Sequence, residues 1–409
     1  MALNILSNVA LAYQPIWGPD RRLSAVRLRV RAVRPEVVDA THLMAVLAGE
    51  WSADAPHLYL SFADRGLLNQ ALVHAPVEPV QLELPDATLP VGADLAPKVA
   101  AARRLGHRCL AVSHLSATRP QSGGGLPSLP SLLHLGPDHL AQARRWLDSR
   151  AEGHKPSVNS PVLPGHFYQD IPDSRVAAHC LDDQGALGVA GWPVADTLKG
   201  HRHFGVRPDR QTIIRLQQAL MHDKAMDRVE SLIHQDPVLT FRLLRLVNSP
   251  VFGPSREVRT IRQALLLLGQ KPVRNWLMDQ LPGAATDADL GPVRQGMVLR
   301  GRLMEHLMDP GPQHELRADI YTTGLFSQLD HLTQEPLAKT LARLPLSDAV
   351  VAALLRQSGP YHPYLDIATH MEGLEGLDTV AVVCDAHSFP LEAVNRALLR
   401  MLSRWNSGL

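Results

Sequence analysis

Residues 234–277 read HQDPVLTFRLLRLVNSPVFGPSREVRTIRQALLLLGQKPVRNWL, and this stretch decides the fold of the C-terminal half. Apolar residues recur at helical spacing in VLTFRLLRLVN (238–248) and again in IRQALLLLG (261–269). The first run stops at Asn248-Ser249-Pro250 and the second at Gly269, which are residue types that end helices. Short helices joined by short connectors predict an all-α bundle.

Apolar residues at helical spacing continue on both sides of this stretch. Upstream, PDRQTIIRLQQALM (208–221) places Ile213, Leu216 and Leu220 on one face of a helix. Downstream, the same periodicity continues almost to the end of the chain. We therefore predict a helical domain over residues 199–409, with its boundary between residues 196 and 207.

In the N-terminal half, the apolar residues recur with a different spacing. Short runs of apolar residues, or of apolar and polar residues in alternation, are typical of strands, and here they alternate with helix-like segments. The strand-like runs are VALAYQPIW (9–17), SAVRLRVRA (24–32), HLYLSFA (57–63), VQLELP (80–85) and RCLAVSHL (108–115). Strand then helix, repeated, predicts a parallel α/β domain over residues 1–198 that is compatible with a barrel.

Composition limits the classes of protein to consider. The 409 residues are 45% hydrophobic and 20% charged with a formal net charge of +1, which indicates two soluble domains and excludes a dedicated nucleic-acid binder. No run of about 18 apolar residues occurs, and the start lacks a positively charged leader, so we expect a cytoplasmic protein without membrane contact. Cys109, Cys180 and Cys384 are far apart and odd in number, and we expect buried, reduced thiols that bind no metal.

The 234–277 stretch resembles the HDOD domain, a helical relative of the metal-dependent His-Asp phosphohydrolases. The motifs QDP, LLRLVNS, FG, I-x-x-A-L-x-x-L-G and RNW stand in the family's order, and YTTGLFSQLDHL (321–332) and LPLSDAVVAALL (344–355) continue the likeness. Where the phosphohydrolases carry an adjacent His and Asp on a GLLHD-like run, this chain has Ser327 and Gln328. We expect Asp330 and His331 to lie one helical turn further on, rotated away from the metal position. The resemblance implies a domain without the metal-binding pair.

The segment AYQPIWGPDRRLSAVRLRVRA (12–32) resembles the opening of an EAL-type barrel, in the order seen in EAL–HDOD signalling proteins. Active EAL domains hydrolyse cyclic di-GMP with metals held by carboxylates. Gln14, Pro15 and Ile16 fit the family pattern, but Arg27, Leu28 and Arg29 stand where Glu-Ala-Leu belongs. The other family positions fall at Ser61 for a metal-binding Asn, Glu83 for a Glu that is kept, Val112 and Ser113 for an acidic pair, His134 for a Lys, Tyr168 for a Glu and Ala190 for a Gln.

These replacements predict a degenerate, catalytically silent barrel. Two divalent cations need several oxygen ligands, and Glu83 alone cannot supply them. Arg27 adds a permanent positive charge at a ligand position, which would repel a metal. We therefore expect no cofactor and no enzyme activity.

Two interpretations of the arginines remain open. Arg27, Arg29 and Arg31 alternate with apolar residues, so all three guanidinium groups lie on one strand face. They either contact a phosphate at the barrel mouth or form ion pairs, with Glu83 as a candidate counter-ion. Glu83 is correspondingly either a relic metal ligand or the partner of the arginine face.

The sequence as a whole predicts a bacterial-type signalling protein that acts by binding regulatory protein partners. One alternative is a non-hydrolysing sensor of cyclic di-GMP or another phosphorylated ligand at the barrel mouth. A second alternative is an active cyclic di-GMP phosphodiesterase or phosphohydrolase with a different set of metal ligands.

Overall fold

A computed structural model of the chain describes residues 5–85, 95–115, 130–153, 159–201, 205–222, 226–250, 257–309, 311 and 313–405. Its N-terminal half contains a closed barrel of eight strands in the order β1 to β8. The strands are β1 (Val9–Trp17), β2 (Leu23–Ala32), β3 (His57–Phe62), β4 (Val80–Leu84), β5 (Cys109–His114), β6 (Ser131–His134), β7 (Phe167–Gln169) and β8 (Gly188–Ala190). The predicted α/β barrel is confirmed.

The sheet is mixed. Neighbouring strands from β2 to β8 pair in parallel, whereas β1 is antiparallel to β2 and to β8. Pairing of Ile16 with Ala190 and of Trp17 with Val189 closes the barrel. The strand-like runs in the sequence correspond to β1 to β5, whereas β6, β7 and β8 are too short to show a period.

The helices fall on both sides of residue 200. Those of the barrel half are α1 (Ala40–Glu50), α2 (Arg65–Val73), α3 (Ala96–Arg104), α4 (Pro137–Ala151), α5 (Ser174–Asp182) and α6 (Val194–Lys199). They are followed by α7 (Arg210–Met221), α8 (Met226–His234), α9 (Pro237–Val247), α10 (Ile261–Leu268), α11 (Gln270–Gln280), α12 (Leu290–Met308), α13 (His314–Phe326), α14 (Leu329–Thr333), α15 (Leu337–Leu341), α16 (Asp348–Arg356), α17 (His362–Met371), α18 (Leu377–Ala386) and α19 (Leu391–Ser403). None of the helices within the described ranges is both long and apolar enough to cross a bilayer.

Contacts between residues divide the chain into two compact units. The barrel unit comprises the described residues within 1–196 and 370–407, and the helical unit comprises those within 197–369. The predicted helical domain, residues 199–409, includes residues 370–407, whereas by their contacts the described residues of that segment group with the barrel. A hairpin joins β1 to β2 without an intervening helix, and α18 and α19 pack against β1. These two helices give β1 the apolar cover that crossover helices give the parallel strands.

Side chains of the barrel strands alternate between two cores. Ile16, Ala25, Tyr59, Leu110, Leu132, Phe167 and Ala190 fill the inside of the barrel. Leu133, Tyr168 and Val189 belong instead to a core that includes Val176 and Cys180 of α5, outside the barrel. Because successive residues of a strand point to opposite faces, residues two positions from the first set also point inward.

In the helical unit, α12 and α13 cross where two glycines meet. A Cβ built on Gly324 would lie 2.6 Å from Gly301 Cα and 2.8 Å from Gly301 N. Any side chain there would force the two backbones apart. The glycine of the TTGLF segment is therefore required by helix packing.

The HDOD-like motif residues form caps and ties between helices. Asp236 of QDP is fully buried and accepts hydrogen bonds from the backbone N–H groups of Val238 and Leu239 at the start of α9. Asn248 ends α9 and exchanges hydrogen bonds with the backbone of Val258. Thr260 and Gln263 form a reciprocal capping box at the start of α10. These motifs specify the helix boundaries of the bundle.

Candidate functional site

The polar cluster inside the barrel consists of Gln14, Arg27, Ser61, Glu83 and Gln169. All five side chains point into the barrel. Gln14, Arg27, Ser61 and Gln169 each lie two residues from a member of the internal core and so share its strand face. Glu83 hydrogen-bonds to Arg27 and Ser61. Arg27, Ser61, Glu83 and Gln169 are each at most 9% exposed. The active sites of parallel β/α barrels lie at the carboxyl ends of their strands, and Glu83 and Gln169 lie there on β4 and β7.

A buried ion pair forms the centre of this cluster. Arg27 donates two hydrogen bonds to the Glu83 carboxylate, Nε to Oε2 at 2.5 Å and Nη2 to Oε1 at 2.7 Å. The Ser61 hydroxyl donates to Glu83 Oε1 at 2.8 Å. Arg27 Nη1 donates to the amide oxygens of Gln14 at 3.2 Å and Gln169 at 3.0 Å. Every charged atom of the pair that faces the interior thus has a partner.

This arrangement does not fit the divalent cations that the EAL resemblance implies. Both carboxylate oxygens of Glu83 already accept hydrogen bonds from a guanidinium group. The amide oxygens of Gln14 and Gln169 point to Arg27 as well, so the oxygen ligands of the cluster are all turned toward a cation that the protein itself provides. A divalent ion placed among them would lie beside the fixed positive charge of Arg27.

The remaining positions inferred from the EAL resemblance are placed differently. Val112 packs against the internal core, whereas Ser113 pairs with Leu133 in the strand ladder and therefore points outward. The buried Ser113 hydroxyl has no hydrogen-bond partner within the part of the chain that the structure describes. Neither residue supplies a carboxylate to the barrel mouth.

Strand β7 turns Gln169, and not Tyr168, toward the barrel interior. Tyr168 points into the outer core, where its hydroxyl donates to the Leu163 carbonyl at 3.0 Å. The inward residue of β7 is Gln169, one position later. Ala190 is part of the internal core, and His134 Nδ1 lies 3.4 Å from Asp170 Oδ2.

The two arginines further along β2, Arg29 and Arg31, are progressively more exposed than Arg27. Arg29 is partly buried, and its Nε atom is inaccessible to solvent and has no hydrogen-bond partner among the described residues. Arg31 is exposed and forms an ion pair with Asp378 of α18. Both line a cleft of about 470 Å³ at the edge of the barrel mouth. Of the three arginines, Arg27 is therefore bound to Glu83, and Arg29 and Arg31 face a cavity.

The helical unit also has an arginine beside Ser327, one of the two residues that stand where the phosphohydrolases carry their His and Asp. Arg300 of α12 donates from Nη1 to the Ser327 hydroxyl at 2.7 Å, and that hydroxyl donates to the Gly324 carbonyl at 2.8 Å. The helix ends here: α13 stops at Phe326, and α14 starts at Leu329. Our expectation that Asp330 and His331 continue the same helix is wrong, because this turn separates them from Ser327 and Gln328. His331 Nε2 lies 4.0 Å from Asp330 Oδ2, at the surface.

Burial shifts three titratable groups of the barrel unit toward their neutral forms. Burial raises the pKa of the Tyr59 hydroxyl inside the barrel. Burial also raises the pKa of the Cys109 thiol and that of Cys180, the latter to about 12. Across the described segments, no group of three or more His, Cys, Asp or Glu side chains has the arrangement of a metal site.

Sequence reasoning missed three of the groups at these sites. Gln169 could have been found from strand parity after Phe167, had β7 been recognised as a strand. Arg300 and Asp378 carry no local sequence signal, because each meets its partner only through tertiary packing.

Comparison with known proteins places a family domain in the helical half. Residues 208–360 match the HDOD domain. Curated proteins similar to this chain include the cyclic di-GMP phosphodiesterase CdgJ of Vibrio cholerae serotype O1, at 28% identity over 44% of this chain and 42% of that protein. Another is the uncharacterized protein YuxH of Bacillus subtilis strain 168, at 26% identity over 36% of each chain.

The similarity to these curated relatives spans less than half of their length. Among solved structures, the response regulator MmoQ of Methylococcus capsulatus strain Bath aligns with 48% of this chain and 99% of its own, with a TM-score of 0.40 and 18% identity.

Proposed function

We propose that this chain, which carries an HDOD domain at residues 208–360, is a non-catalytic regulator that acts in the bacterial cytoplasm by binding other proteins. The Arg27–Glu83 pair carries the proposal. It lies in the barrel interior, and the EAL resemblance assigns metal-ligand positions to both of its residues. In this proposal the barrel is a degenerate EAL-like domain that has exchanged metal ligands for an internal ion pair.

A signalling role has support from two observations. The HDOD domain is present, and a protein similar to this chain is named a cyclic di-GMP phosphodiesterase. The named activity belongs to that relative. For this chain, the replacement of a ligand position by Arg27 favours a role in the same kind of pathway without hydrolysis.

An assay of hydrolysis tests the absence of catalysis directly. The full chain is incubated with cyclic di-GMP and either Mg²⁺ or Mn²⁺, and the linear product is quantified beside a sample without protein. We expect no product above that control. Metal-dependent product that is lost in Glu83→Gln, and retained in the exposed control Glu152→Gln, would show that the barrel is an enzyme.

Affinity capture tests the binding role. The tagged chain is recovered from a bacterial lysate, and bound proteins are identified by mass spectrometry. Leu266 and Leu267 are adjacent on α10 and are 73% and 53% exposed, so a Leu266→Ser, Leu267→Ser variant removes a large exposed apolar area from the HDOD domain. Val73→Ser is the matched control, since Val73 is 68% exposed on the barrel.

We expect a reproducible partner that the control variant retains. A partner lost with the two leucines would place its contact on the HDOD domain. Failure to recover any protein above an untagged control, in repeated captures, would contradict the binding role.

A second candidate function is that of a non-hydrolysing sensor of cyclic di-GMP or another phosphorylated ligand. The unpartnered Nε of Arg29 beside an open cleft favours it. Calorimetric titration with cyclic di-GMP tests it, with Arg29→Ala as the disruptive variant and Arg22→Ala, an exposed arginine of the β1–β2 hairpin, as the control. Saturable heat that only Arg29→Ala reduces would support the sensor, and no heat at millimolar ligand would exclude it for this nucleotide.

A further inference from the structure

Three hydrogen-bonded side chains form a row outside the barrel, on α5 and on the segment between α4 and β7. The Ser160 hydroxyl lies 2.9 Å from His179 Nε2, and His179 Nδ1 lies 2.8 Å from Asp183 Oδ2. His179 and Asp183 are four residues apart, so they lie on one face at the C-terminal end of α5. The row belongs to the barrel unit and contains no member of the polar cluster inside the barrel.

The neighbours of these side chains determine where the protons of the row lie. Arg150 Nη1 donates to Asp183 Oδ1 at 3.0 Å, which leaves Oδ2 as the acceptor for the imidazole. Because a carboxylate only accepts hydrogen bonds, Nδ1 of the neutral His179 ring carries the proton and Nε2 is an acceptor. The Val162 N–H donates to Ser160 Oγ at 3.2 Å. The hydroxyl proton of Ser160 therefore points to His179 Nε2.

Burial is deepest at the histidine. Ser160 is half-buried, whereas the side chain of His179 has no exposed surface. The indole of Trp146 packs against the imidazole, and the two ring centroids are 4.3 Å apart. Packing thus holds a base in one orientation behind a serine that retains exposed surface, which is the arrangement that activates a serine nucleophile.

We propose that Ser160 is a nucleophile that takes an acyl group from small carboxylic esters, with His179 as its base. Oγ forms a bond to the carbonyl carbon while the hydroxyl proton passes to His179 Nε2. The bond from that carbon to the alcohol oxygen then breaks, and the alcohol leaves with the proton. Asp183 is a positioning residue that holds the imidazole in the required tautomer. The Val162 N–H, which lies beside Oγ, can donate to the carbonyl oxygen as that oxygen gains charge.

We expect the acyl group to remain on Ser160. Hydrolysis of an acyl-serine needs a base that activates a water molecule, and the side chain of His179 has no surface exposed to water. Ser160 is therefore a site of covalent modification that accepts one acyl group per chain. This inference goes beyond the proposed regulatory function, does not depend on it and involves no metal-dependent hydrolysis.

Labelling of the full chain with a fluorophosphonate tests the nucleophile, because serines without an adjacent base react poorly with such probes. Oγ forms a bond to phosphorus, and fluoride leaves with the hydroxyl proton. We expect one probe per chain, located on Ser160 by peptide mapping, and none on Ser160→Ala. Ser174→Ala is the matched control and should be labelled like the unmodified chain. Ser174 is also half-buried, but its hydroxyl donates to a carboxylate, Asp196 Oδ2 at 2.8 Å, and not to an imidazole.

Asp183→Asn distinguishes a nucleophile from a hydrogen bond that only holds the segment in place. The asparagine amide can donate to Nδ1, which favours the tautomer of His179 with its proton on Nε2 and leaves Ser160 without a base. Labelling should slow by about a hundredfold or more. Thermal unfolding should change little, because the side chain of Asp183 is 31% exposed.

Two results would overturn the proposal. One is the absence of labelling of the unmodified chain under conditions in which a serine esterase is labelled. The other is an equal rate of labelling in Asp183→Asn and in the unmodified chain.

Release of p-nitrophenolate from p-nitrophenyl acetate tests the fate of the acyl group. We expect a burst of one equivalent per chain, followed by the slow release seen without protein. The burst should be absent from Ser160→Ala and present in Ser174→Ala. Continued release that Ser160→Ala removes would show that the acyl group is hydrolysed, and would overturn its retention on Ser160.

Discussion

At the scale of single residues, the position of each arginine along β2 determines how far it is buried and which group it contacts. Arg27, Arg29 and Arg31 share a face of β2, as their alternation in the sequence predicts. The alternation alone could not predict that Arg27 is only 7% exposed and contacts Glu83, or that Arg31 lies near the surface. That difference depends on where the other seven strands end, which the sequence shows only for the longer ones.

The buried pair makes a first prediction. Arg27→Met should lower the free energy of unfolding of the barrel unit by about 3–5 kcal/mol, because the Glu83 carboxylate stays buried without its cation. Arg31→Met, on the same strand face, should cost at most about 1 kcal/mol, since that pair is exposed. Unfolding of the barrel unit in urea measures the free-energy change for both variants.

Combining the substitutions sharpens the test of this pair. Arg27→Met with Glu83→Leu removes both charges, and we expect the double variant to be more stable than Arg27→Met alone. If instead the two losses simply add, the residues do not act as a pair.

The meeting of Gly301 and Gly324 makes a second prediction. Gly324→Ala should destabilise the helical unit by about 3 kcal/mol or more, because its Cβ would overlap the backbone of Gly301. Gly296→Ala is the matched control: Gly296 also lies on α12, but apart from the backbone of its own helix no atom lies within 4 Å of the added Cβ. That control should be neutral or stabilising by up to about 1 kcal/mol, as thermal unfolding by circular dichroism would show.

At the scale of elements, the sequence predicts helices well where caps and periodicity agree. The runs at 238–248 and 261–269 correspond to α9 and α10, and the residues that end them form the expected caps. The sequence predicts α13 less well, since its end at Phe326 depends on the Ser327 turn that Arg300 stabilises from α12. A helix end set by a side chain from another helix has no local signal.

The cap of α9 makes a third prediction. Asp236 accepts hydrogen bonds from three backbone N–H groups, those of Val238, Leu239 and Asp209. Asp236→Ala should cost about 3 kcal/mol or more of the helical unit's stability, because buried donors lose their acceptor. Asp236→Asn keeps one acceptor oxygen and should cost less. Equal losses for the two variants would show that the cap is not what Asp236 contributes.

At the scale of the whole molecule, the order of segments along the chain differs from their grouping in space. The barrel unit takes its last two helices from residues that follow the helical unit in sequence. The sequence predicted two fold classes correctly but could not show this return, since α18 and α19 resemble any amphipathic helix. Only the uncovered β1–β2 hairpin indicates that the barrel needs them.

The cysteines make a fourth prediction, about the barrel unit alone. All three cysteines of the chain, Cys109, Cys180 and Cys384, lie in that unit and are buried. Burial raises the pKa of each thiol, that of Cys384 to about 11, so little thiolate exists near pH 8. We expect negligible alkylation by iodoacetamide in the folded chain, measured by intact mass.

A pair of variants shows whether alkylation reports this unit specifically. Asn395 of α19 donates to the carbonyls of Leu6 at 2.8 Å and Val9 at 2.7 Å. Asn395→Ala should expose Cys384 to alkylation at low urea, whereas Gly324→Ala in the helical unit should not. Equal acceleration by both would show that the two units unfold together.

The return of the chain to β1 has a consequence for the time order of folding. Residues 5–32 are synthesised before Asn395, which joins them only after more than 350 further residues have left the ribosome. The helical unit, whose contacts are closer in sequence, can fold while the barrel still lacks the cover of α18 and α19. During this interval the outer face of β1 is bare, and a chaperone has its longest opportunity to act there.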